Sequence, residues 1–273
     1  MILKVFKNSI KFLIKQRMLP EKPFEEPFWL DRCDAQKLLE LKDKYKGERC
    51  FIIGNGPSLN KIDLSLLAGS YSFGVNSIFL KTLSDNFMPS FYTVEDSHVM
   101  TDNKNEINEY GANVKFIPTE YKSLVTNKKN VVFYNMNCGF YQPYSPNYEV
   151  PRFSKAADER LYCGQSVTII NLQLAYYMGF SEVFLIGMDF TYDIPDSAVI
   201  DGDTILSTED DPNHFDPSYF GAGKKWHDPK LHNVLESYRL CKQVYEADSR
   251  KIFNATVGGR LELFDRVEFN ELF

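Results

Sequence analysis

The chain has 273 residues, 44% of them hydrophobic and 25% charged, with a formal net charge of −6. It is long enough for one large α/β domain with additions, and its charged fraction is typical of globular proteins. The acidic balance excludes a general nucleic-acid-binding role, because such proteins need a basic surface to displace counterions from phosphates.

Residues 1–20 are predicted to form a basic amphipathic helix. Apolar side chains recur at helical spacing, and five basic residues lie among them. The segment is too short and too charged to cross a bilayer, which takes about 20 apolar residues. Such a helix can lie on an anionic membrane surface, and the alternative is packing against its own domain or a second subunit, giving a homo-oligomer.

The rest of the chain alternates short apolar runs with helical patterns, which predicts a Rossmann-like, doubly wound, mostly parallel α/β sheet. Residues 21–46 are predicted to be a connector and a helix, followed by a single domain over residues 47–273. Residues 193–227 form a long polar segment, and long segments of this kind are usually functional or disordered. The predicted strands cover residues 50–53, 71–75, 90–94, 114–117, 131–134, 182–187 and 252–255, and the predicted helices cover 34–46, a stretch from about 58, 166–178 and 228–246.

Polar turns follow several of the predicted strands. In open parallel sheets ligands bind beyond the carboxyl ends of the strands, so we expect these turns to converge on one cleft. They contain residues 54–58, Asn76, Glu95 with Asp96, and residues 187–189.

The turn over residues 54–58 is the most informative of these. Gly54 and Gly56 allow close approach of the backbone to a ligand, and the start of a helix near Ser58 favours anions. Asn55 adds an amide that can bind a phosphate or a sugar. The turn is neither a Walker loop nor a complete GxGxxG motif, since Leu59 stands where the third glycine belongs, and a purely structural turn is the alternative.

Two histidines are candidate general bases. His214 and His227 each lie beside an aromatic residue in the polar segment, and an imidazole titrates near neutral pH. The alternative for each is a surface histidine without chemistry. Acidic residues there could hold Mg²⁺, but a solvated acidic loop is the favoured interpretation, so no metal site is predicted.

Five scattered cysteines, none at CxxC spacing, favour neither a disulfide framework nor a zinc site. Together with the lack of a cleavable signal peptide, they predict a reducing, cytoplasmic location.

Two longer motifs carry a family resemblance. The run FIIGNGPSLNKIDLSLL at 51–67, followed by FGVNSIFL, resembles the start of bacterial lipooligosaccharide sialyltransferases. The run GQSVTIINLQLAYYMGFSEVFLIGMDFTYD at 164–193 looks like their second nucleotide-binding segment. The closing stretch at 251–269 is similar to a broader group, the Maf flagellin-modification proteins and MptE-like hydroxymethylpterin pyrophosphokinases. Together these resemblances cover residues 47–270.

The sialyltransferase resemblance implies a GT-A-like variant of the Rossmann fold, with a lid at about residues 193–227. It implies inverting, metal-independent transfer of a sialic acid or related nonulosonic acid from a CMP-sugar to a cell-surface glycan. No cofactor is implied. A lipid-linked acceptor in lipopolysaccharide or capsule biosynthesis would suit an N-terminal helix at the inner face of the cytoplasmic membrane.

The same resemblance implies roles for individual residues. His227 would be the base, with His214 as its competitor, and the tyrosines would donate to the departing phosphate. The candidate nucleotide- and donor-binding residues are Gly54, Asn55, Gly56, Pro57, Ser58, Asn76, Asp96, Gln165, Ser166, Gly187, Asp189, Tyr192 and Tyr219.

Two other functions remain open. An MptE-type pyrophosphokinase would transfer diphosphate from ATP and need Mg²⁺, held by carboxylates such as Asp96 or Asp189. A non-catalytic nucleotide-binding protein of envelope assembly would tolerate loss of both histidines.

Overall fold

The computed structural model describes residues 30–202 and 204–273. The predicted helix over residues 1–20 and most of the predicted connector lie outside the described residues. Within the described part, no helix is long and apolar enough to cross a membrane.

The helices are α1 Arg32–Leu39, α2 Phe79–Thr82, α3 Ser97–Asp102, α4 Lys104–Glu109, α5 Val167–Tyr177 and α6 Leu231–Ala247. The strands are β1 Arg49–Ile53, β2 Tyr71–Val75, β3 Phe91–Thr93, β4 Val114–Pro118, β5 Val131–Tyr134, β6 Met136–Asn137, β7 Leu161–Tyr162, β8 Glu182–Ile186, β9 Val199–Asp201, β10 Thr204–Leu206, β11 Lys225–His227, β12 Lys251–Asn254 and β13 Asp265–Arg266.

Eight strands form one sheet in the order β13-β12-β8-β1-β2-β3-β4-β5. Every neighbouring pair in it is parallel. The strands β1 to β5 follow one another in one direction, whereas β8, β12 and β13 extend in the other, so the strand order reverses between β1 and β8. The fold is therefore a Rossmann-like α/β fold, which confirms the predicted parallel sheet.

The core lies on both faces of this sheet. One apolar cluster contains α5 and the side chains of β1 and β2 that face it, and a second covers the opposite face. All eleven residues of α5 are buried, so this mostly apolar helix is enclosed on every side rather than amphipathic. Ser166 caps α5, because its Oγ accepts the N–H of Thr168 at 3.3 Å. The predicted helix over residues 166–178 is confirmed.

The helix predicted over residues 34–46 is shorter than expected, because α1 ends at Leu39. The backbone N–H groups of Asp43 and Tyr45 donate to the carbonyls of Tyr177 and Met178 at the C-terminal end of α5. Asp43 adopts a left-handed backbone with φ of 53°. These residues thus satisfy the last carbonyls of α5 instead of extending α1.

Two other helix predictions need correction. The turn after β1 continues into a short 3₁₀ helix, Pro57–Lys61, rather than an α-helix. The last helix, α6, begins at Leu231, because the left-handed backbone of Lys230 precedes it.

The polar segment over residues 193–227, called the lid below, contains more regular structure than predicted. Its strands β9, β10 and β11 form a three-stranded antiparallel sheet. The lid contacts the turn after β1 through a backbone hydrogen bond in which the N–H of Phe215 donates to the carbonyl of Asn55 at 2.9 Å. The side chain of Asn60 donates to the carbonyl of Phe215 at 2.7 Å. The lid is therefore docked on the end of the main sheet.

We predict that Gly54→Ala destabilises the protein. A Cβ at this position would lie 2.5 Å from the carbonyl oxygen of Gly187 and 2.7 Å from the Sδ of Met188. Overpacking of this kind lowers the free energy of unfolding by about 2 kcal/mol, which denaturant unfolding would measure. Gly111→Ala is the control, since its Cβ would meet only the Cε of Met88 at 3.6 Å. Equal stability of the two variants would contradict the prediction.

Candidate functional site

A cleft of about 570 Å³ opens at the carboxyl ends of the strands, where the strand order reverses. This volume lies in the range of small-molecule sites. Except for Pro57 and Ser58, every site residue predicted from the sequence lines this cleft. The expectation that the polar turns converge is confirmed, whereas the role of each residue stays a prediction.

Three glycines form the floor between β1 and β8. The N–H of Gly56 donates to the carbonyl of Gly187 at 2.9 Å. Gly187 has a left-handed backbone with φ of 67°, and a Cβ there would lie 2.7 Å from the carbonyl oxygen of Gly54. A side chain at Gly56 would collide with the carboxylate of Asp189. The two turns therefore approach so closely that only glycine fits.

Asp189 occupies the position where the sequence suggested an anion-binding helix start. The Oγ of Ser58 donates to Oδ2 of Asp189 at 2.6 Å, and the N–H of Ser58 lies 3.2 Å from Oδ1. Pro57 has no N–H to offer. The protein's own carboxylate thus takes the donors that were expected to face a ligand phosphate.

Two asparagines follow β1 and β2 and present acceptor atoms. The side-chain amide of Asn55 donates to the carbonyl of Val75 at 3.2 Å and to the hydroxyl of Tyr219 at 2.7 Å. This bond to a carbonyl fixes the orientation of the amide. The Oδ1 atoms of Asn55 and Asn76 are buried without a partner among the described residues. Buried acceptors of this kind are suited to ligand hydroxyl or N–H groups.

Gln165 and Ser166 lie on the α5 side of the cleft. Gln165 has a left-handed backbone, and its side-chain amide donates to the carbonyl of Asp228 at 3.2 Å. This bond ties the start of α5 to the segment between the lid and α6.

His214 is held from both sides inside the lid. Its Nδ1 lies 2.6 Å from Oδ2 of Asp211 and its Nε2 lies 3.1 Å from the hydroxyl of Tyr192. The ring stacks on Tyr219 with centroids 4.0 Å apart. Burial tends to raise the pKa of Asp211, but hydrogen bonds from His214 and two backbone N–H groups outweigh it and lower that pKa. The His214–Asp211 pair therefore stabilises the lid internally, since both residues belong to it.

His227 is arranged differently. Its Nδ1 lies 3.2 Å from Oδ2 of Asp96, its side chain is 44% exposed, and its ring stacks on His98. Asp96 caps α3, accepting the N–H groups of His98 and Val99 at 2.7 and 3.0 Å. Burial would raise the pKa of Asp96, but these bonds and His227 lower it. A carboxylate that orients an accessible imidazole is the arrangement of a general base.

A second set of cleft residues surrounds Glu95, which the sequence placed in one of the converging turns without assigning it a role. Glu95 is half-buried, and its Oε1 accepts the hydroxyl of Tyr141 at 2.8 Å. Burial, above all, raises the pKa of Glu95 to about 7, and the charges of Asp96 and Glu120 act in the same direction. The position of Glu95 directly before Asp96 was the only sequence signal for this set. Glu120 and Tyr141 come from distant segments of the chain, and local patterns could not place them beside it.

The cleft is rich in carboxylates. Lys230 also lines it and lies 3.6 Å from Oε1 of Glu149. Within residues 30–202 and 204–273, no group of three or more histidine, cysteine or acidic side chains is placed to hold a metal. The six acidic residues that line the cleft are Glu95, Asp96, Glu120, Glu149, Asp189 and Asp228.

The fold and the cleft define a Rossmann-like α/β protein with its pocket at the reversal of strand order. The family described as 6-hydroxymethylpterin diphosphokinase MptE-like matches residues 30–195, which is more than half of the chain. The chain belongs to this MptE-like family, which confirms that part of the predicted resemblance.

A comparison with curated proteins found no match. Among solved structures, the Maf glycosyltransferase from Magnetospirillum magneticum AMB-1 is similar, with a TM-score of 0.49 and 15% identity. The match covers 88% of this chain but only 38% of that protein.

The raised pKa of Glu95 predicts a pH-dependent stability. Between pH 4.5 and about 7 the folded protein keeps a proton on Glu95 that the unfolded chain releases. Its stabilising effect is full below pH 4.5 and is lost as the pH rises through about 7. Relative to Glu95→Gln, the wild-type free energy of unfolding should fall by about 2 kcal/mol from about pH 5 to about pH 8, after allowance for solvent screening.

Denaturant titrations at several pH values would measure this difference. Glu149→Gln, which removes another carboxylate of the same cleft, is the control and should keep the wild-type profile. Parallel profiles of wild type and Glu95→Gln would show that the Glu95 carboxyl is not desolvated.

Proposed function

We propose that the protein is a glycosyltransferase that moves a sugar from a CMP-activated donor to a hydroxyl of a glycan acceptor, without a metal. The observation that carries this proposal is the His227–Asp96 pair, an exposed imidazole oriented by a carboxylate at the cleft. The expected donor is CMP-sialic acid or a related nonulosonic acid. The bacterial lipooligosaccharide sialyltransferases that the sequence resembles support this choice.

The charge of the cleft supports a donor with few negative charges. Six acidic residues line it, with Lys230 as a cation. A nucleoside triphosphate without a counterion would meet strong repulsion there, since like charges in a partly desolvated site repel each other by several kcal/mol. A CMP-linked nonulosonic acid carries one phosphodiester and one carboxylate, which is still less negative charge than a triphosphate, and it therefore meets less repulsion.

In the proposed reaction, the acceptor hydroxyl attacks the anomeric carbon as the bond from that carbon to the phosphate oxygen breaks. His227 accepts the hydroxyl proton, and Asp96 stabilises the resulting imidazolium. Asn55 and Asn76 accept hydrogen bonds from hydroxyl or N–H groups of the nucleotide. The hydroxyl of Tyr219 accepts from Asn55 and from the N–H of Ser77, so its own hydrogen is available to the leaving phosphate.

Tyr219 is suited to that task, because burial raises its pKa and keeps the hydroxyl protonated. Tyr192, in contrast, has its hydroxyl bonded to His214 and is the weaker candidate for contact with the phosphate.

The family match favours one other function, a diphosphokinase that transfers diphosphate from ATP to a pterin. This reaction needs Mg²⁺ to bring a triphosphate into an acidic cleft. Asp96 and Asp189 are the candidate ligands, and each would have to exchange its present bond to His227 or Ser58.

Nucleotide titrations distinguish these two functions. We expect CMP to bind in calorimetry with the same affinity with and without Mg²⁺, and UDP, GDP and ATP to bind at least about tenfold more weakly. The same titrations in EDTA control for trace metal. Binding of ATP only with Mg²⁺, with none of CMP, would reject the glycosyltransferase and favour the diphosphokinase.

His227→Asn should lower the turnover of CMP-sialic acid about 10²–10⁴-fold, since general-base catalysis contributes this much. CMP affinity should stay unchanged, and the release of CMP can be followed by chromatography. His232→Asn is the matched control, because His232 is exposed at the start of α6 and does not line the cleft. Loss of turnover in His214→Asn but not in His227→Asn would assign the base to His214 instead.

A further inference from the structure

The cleft extends beyond the point where the strand order reverses. Its lining residues follow β8, β1, β2, β3 and β4 in turn, from Gly187 to Glu120. Four spacings of about 4.8 Å give this edge a length of about 19 Å. The His227–Asp96 pair stands at the end of β3. The ends of β8, β1 and β2 therefore lie on one side of the pair, and the end of β4 lies on the other side.

Three exposed tyrosines lie in the segment that follows β6, and one of them, Tyr141, ties this segment to Glu95 after β3. Tyr141, Tyr144 and Tyr148 are 40%, 66% and 38% exposed, and we call them the tyrosine shelf. Tyr141 and Tyr148 line the cleft. Exposed aromatic side chains in one short segment are typical of binding sites, because tyrosine offers a large and rigid contact surface with a polar end.

The shelf belongs to an ordered segment. Two successive turns hold its backbone. The N–H of Ser145 donates to the backbone carbonyl of Gln142 at 2.8 Å, and the N–H of Tyr148 donates to the backbone carbonyl of Ser145 at 3.1 Å. Phe140 is 3% exposed and anchors the segment in the core. The backbone of the shelf is thus held in place, and the bond to Glu95 also holds the side chain of Tyr141. This order lowers the entropy that is lost when a ligand binds.

The charges beside the shelf select the kind of ligand. Glu95 and Glu120 follow β3 and β4 on this side of the cleft, and the cation Lys230 is paired with Glu149. Carboxyl groups form hydrogen bonds with sugar hydroxyl groups in either protonation state, and they offer no positive charge to an anion. An aromatic surface next to carboxylate acceptors matches the C–H face and the hydroxyl edge of an uncharged sugar.

We propose that the tyrosine shelf, with Glu95 and Glu120 behind it, is the acceptor subsite and takes a neutral sugar rather than an acidic or phosphorylated one. This inference rests on the proposed glycosyltransferase function. It places the acceptor across the His227–Asp96 pair from the donor. The acceptor hydroxyl then reaches His227 from the side opposite to the nucleotide.

Ligand-observed NMR with CMP present tests the subsite on the full chain. The neutral probes are the methyl β-glycosides of glucose, galactose and N-acetylglucosamine, and the acidic probes are the methyl β-glycoside of glucuronic acid and glucose 6-phosphate. We expect at least one neutral probe to bind about tenfold more tightly than both acids. Tyr148→Ala should weaken that binding about tenfold, whereas Tyr148→Phe should retain it within about twofold because the ring remains. Leu83→Ala, at a 65% exposed residue outside the cleft, is the control.

The inference is overturned if no neutral probe binds, if an acid binds equally well, or if Tyr148→Ala has no effect. Binding of 6-hydroxymethylpterin that Tyr148→Ala abolishes, with no sugar bound, would likewise overturn it. Calorimetry with CMP on the same samples separates the two proposals. Sugar binding that depends on Tyr148 without CMP binding keeps the subsite and removes the proposed donor. CMP binding without sugar binding keeps the proposed donor and removes the proposed acceptor subsite.

Discussion

The close approach of two glycine turns is the constraint on which the rest of the site depends. β1 and β8 pair in register to their last residues, and Gly54 then donates to Ile186 at 2.8 Å while Gly56 donates to Gly187. Because the glycines place no side chain between the two turns, the backbones stay as close together after the strands end as they are within the sheet. This approach brings Asp189 within reach of Ser58. The floor of the cleft is thus the hydrogen-bonded contact between the turns after β1 and β8.

The lid is joined to the turns of the cleft by polar contacts, and its Phe215 and Tyr219 are also buried in the apolar cluster on one face of the sheet. Tyr219 joins the lid to the turns after both β1 and β2, because its hydroxyl accepts from Asn55 and Ser77. His214 supports Tyr219 by stacking and is itself held by Asp211. The two candidate histidines therefore differ in setting: the ring of His214 is stacked on Tyr219 within the lid, whereas the side chain of His227 is 44% exposed beside Asp96.

Local patterns in the sequence were enough to predict most of the parallel sheet, because each strand is a short apolar run ended by a turn. They also placed Asn55, Asn76 and Asp189 at strand ends, where a ligand cleft forms. They could not show that Asp189 binds Ser58, since 131 residues separate the two. The pairing of Glu95 with Tyr141 was hidden for the same reason. The lid strands were missed because each has only three residues and the segment as a whole is polar.

The bond between Asp189 and Ser58 has a thermodynamic consequence for any anion that enters the cleft. A ligand oxygen that takes the N–H of Ser58 must displace a carboxylate that already holds it. The free energy of this internal bond therefore reduces the binding free energy of the ligand, because the ligand and the carboxylate compete for the same N–H group. This internal bond satisfies the backbone donor of Ser58, and small free anions such as inorganic phosphate are placed at a disadvantage. Only a ligand with further contacts elsewhere in the cleft can compensate for that displacement.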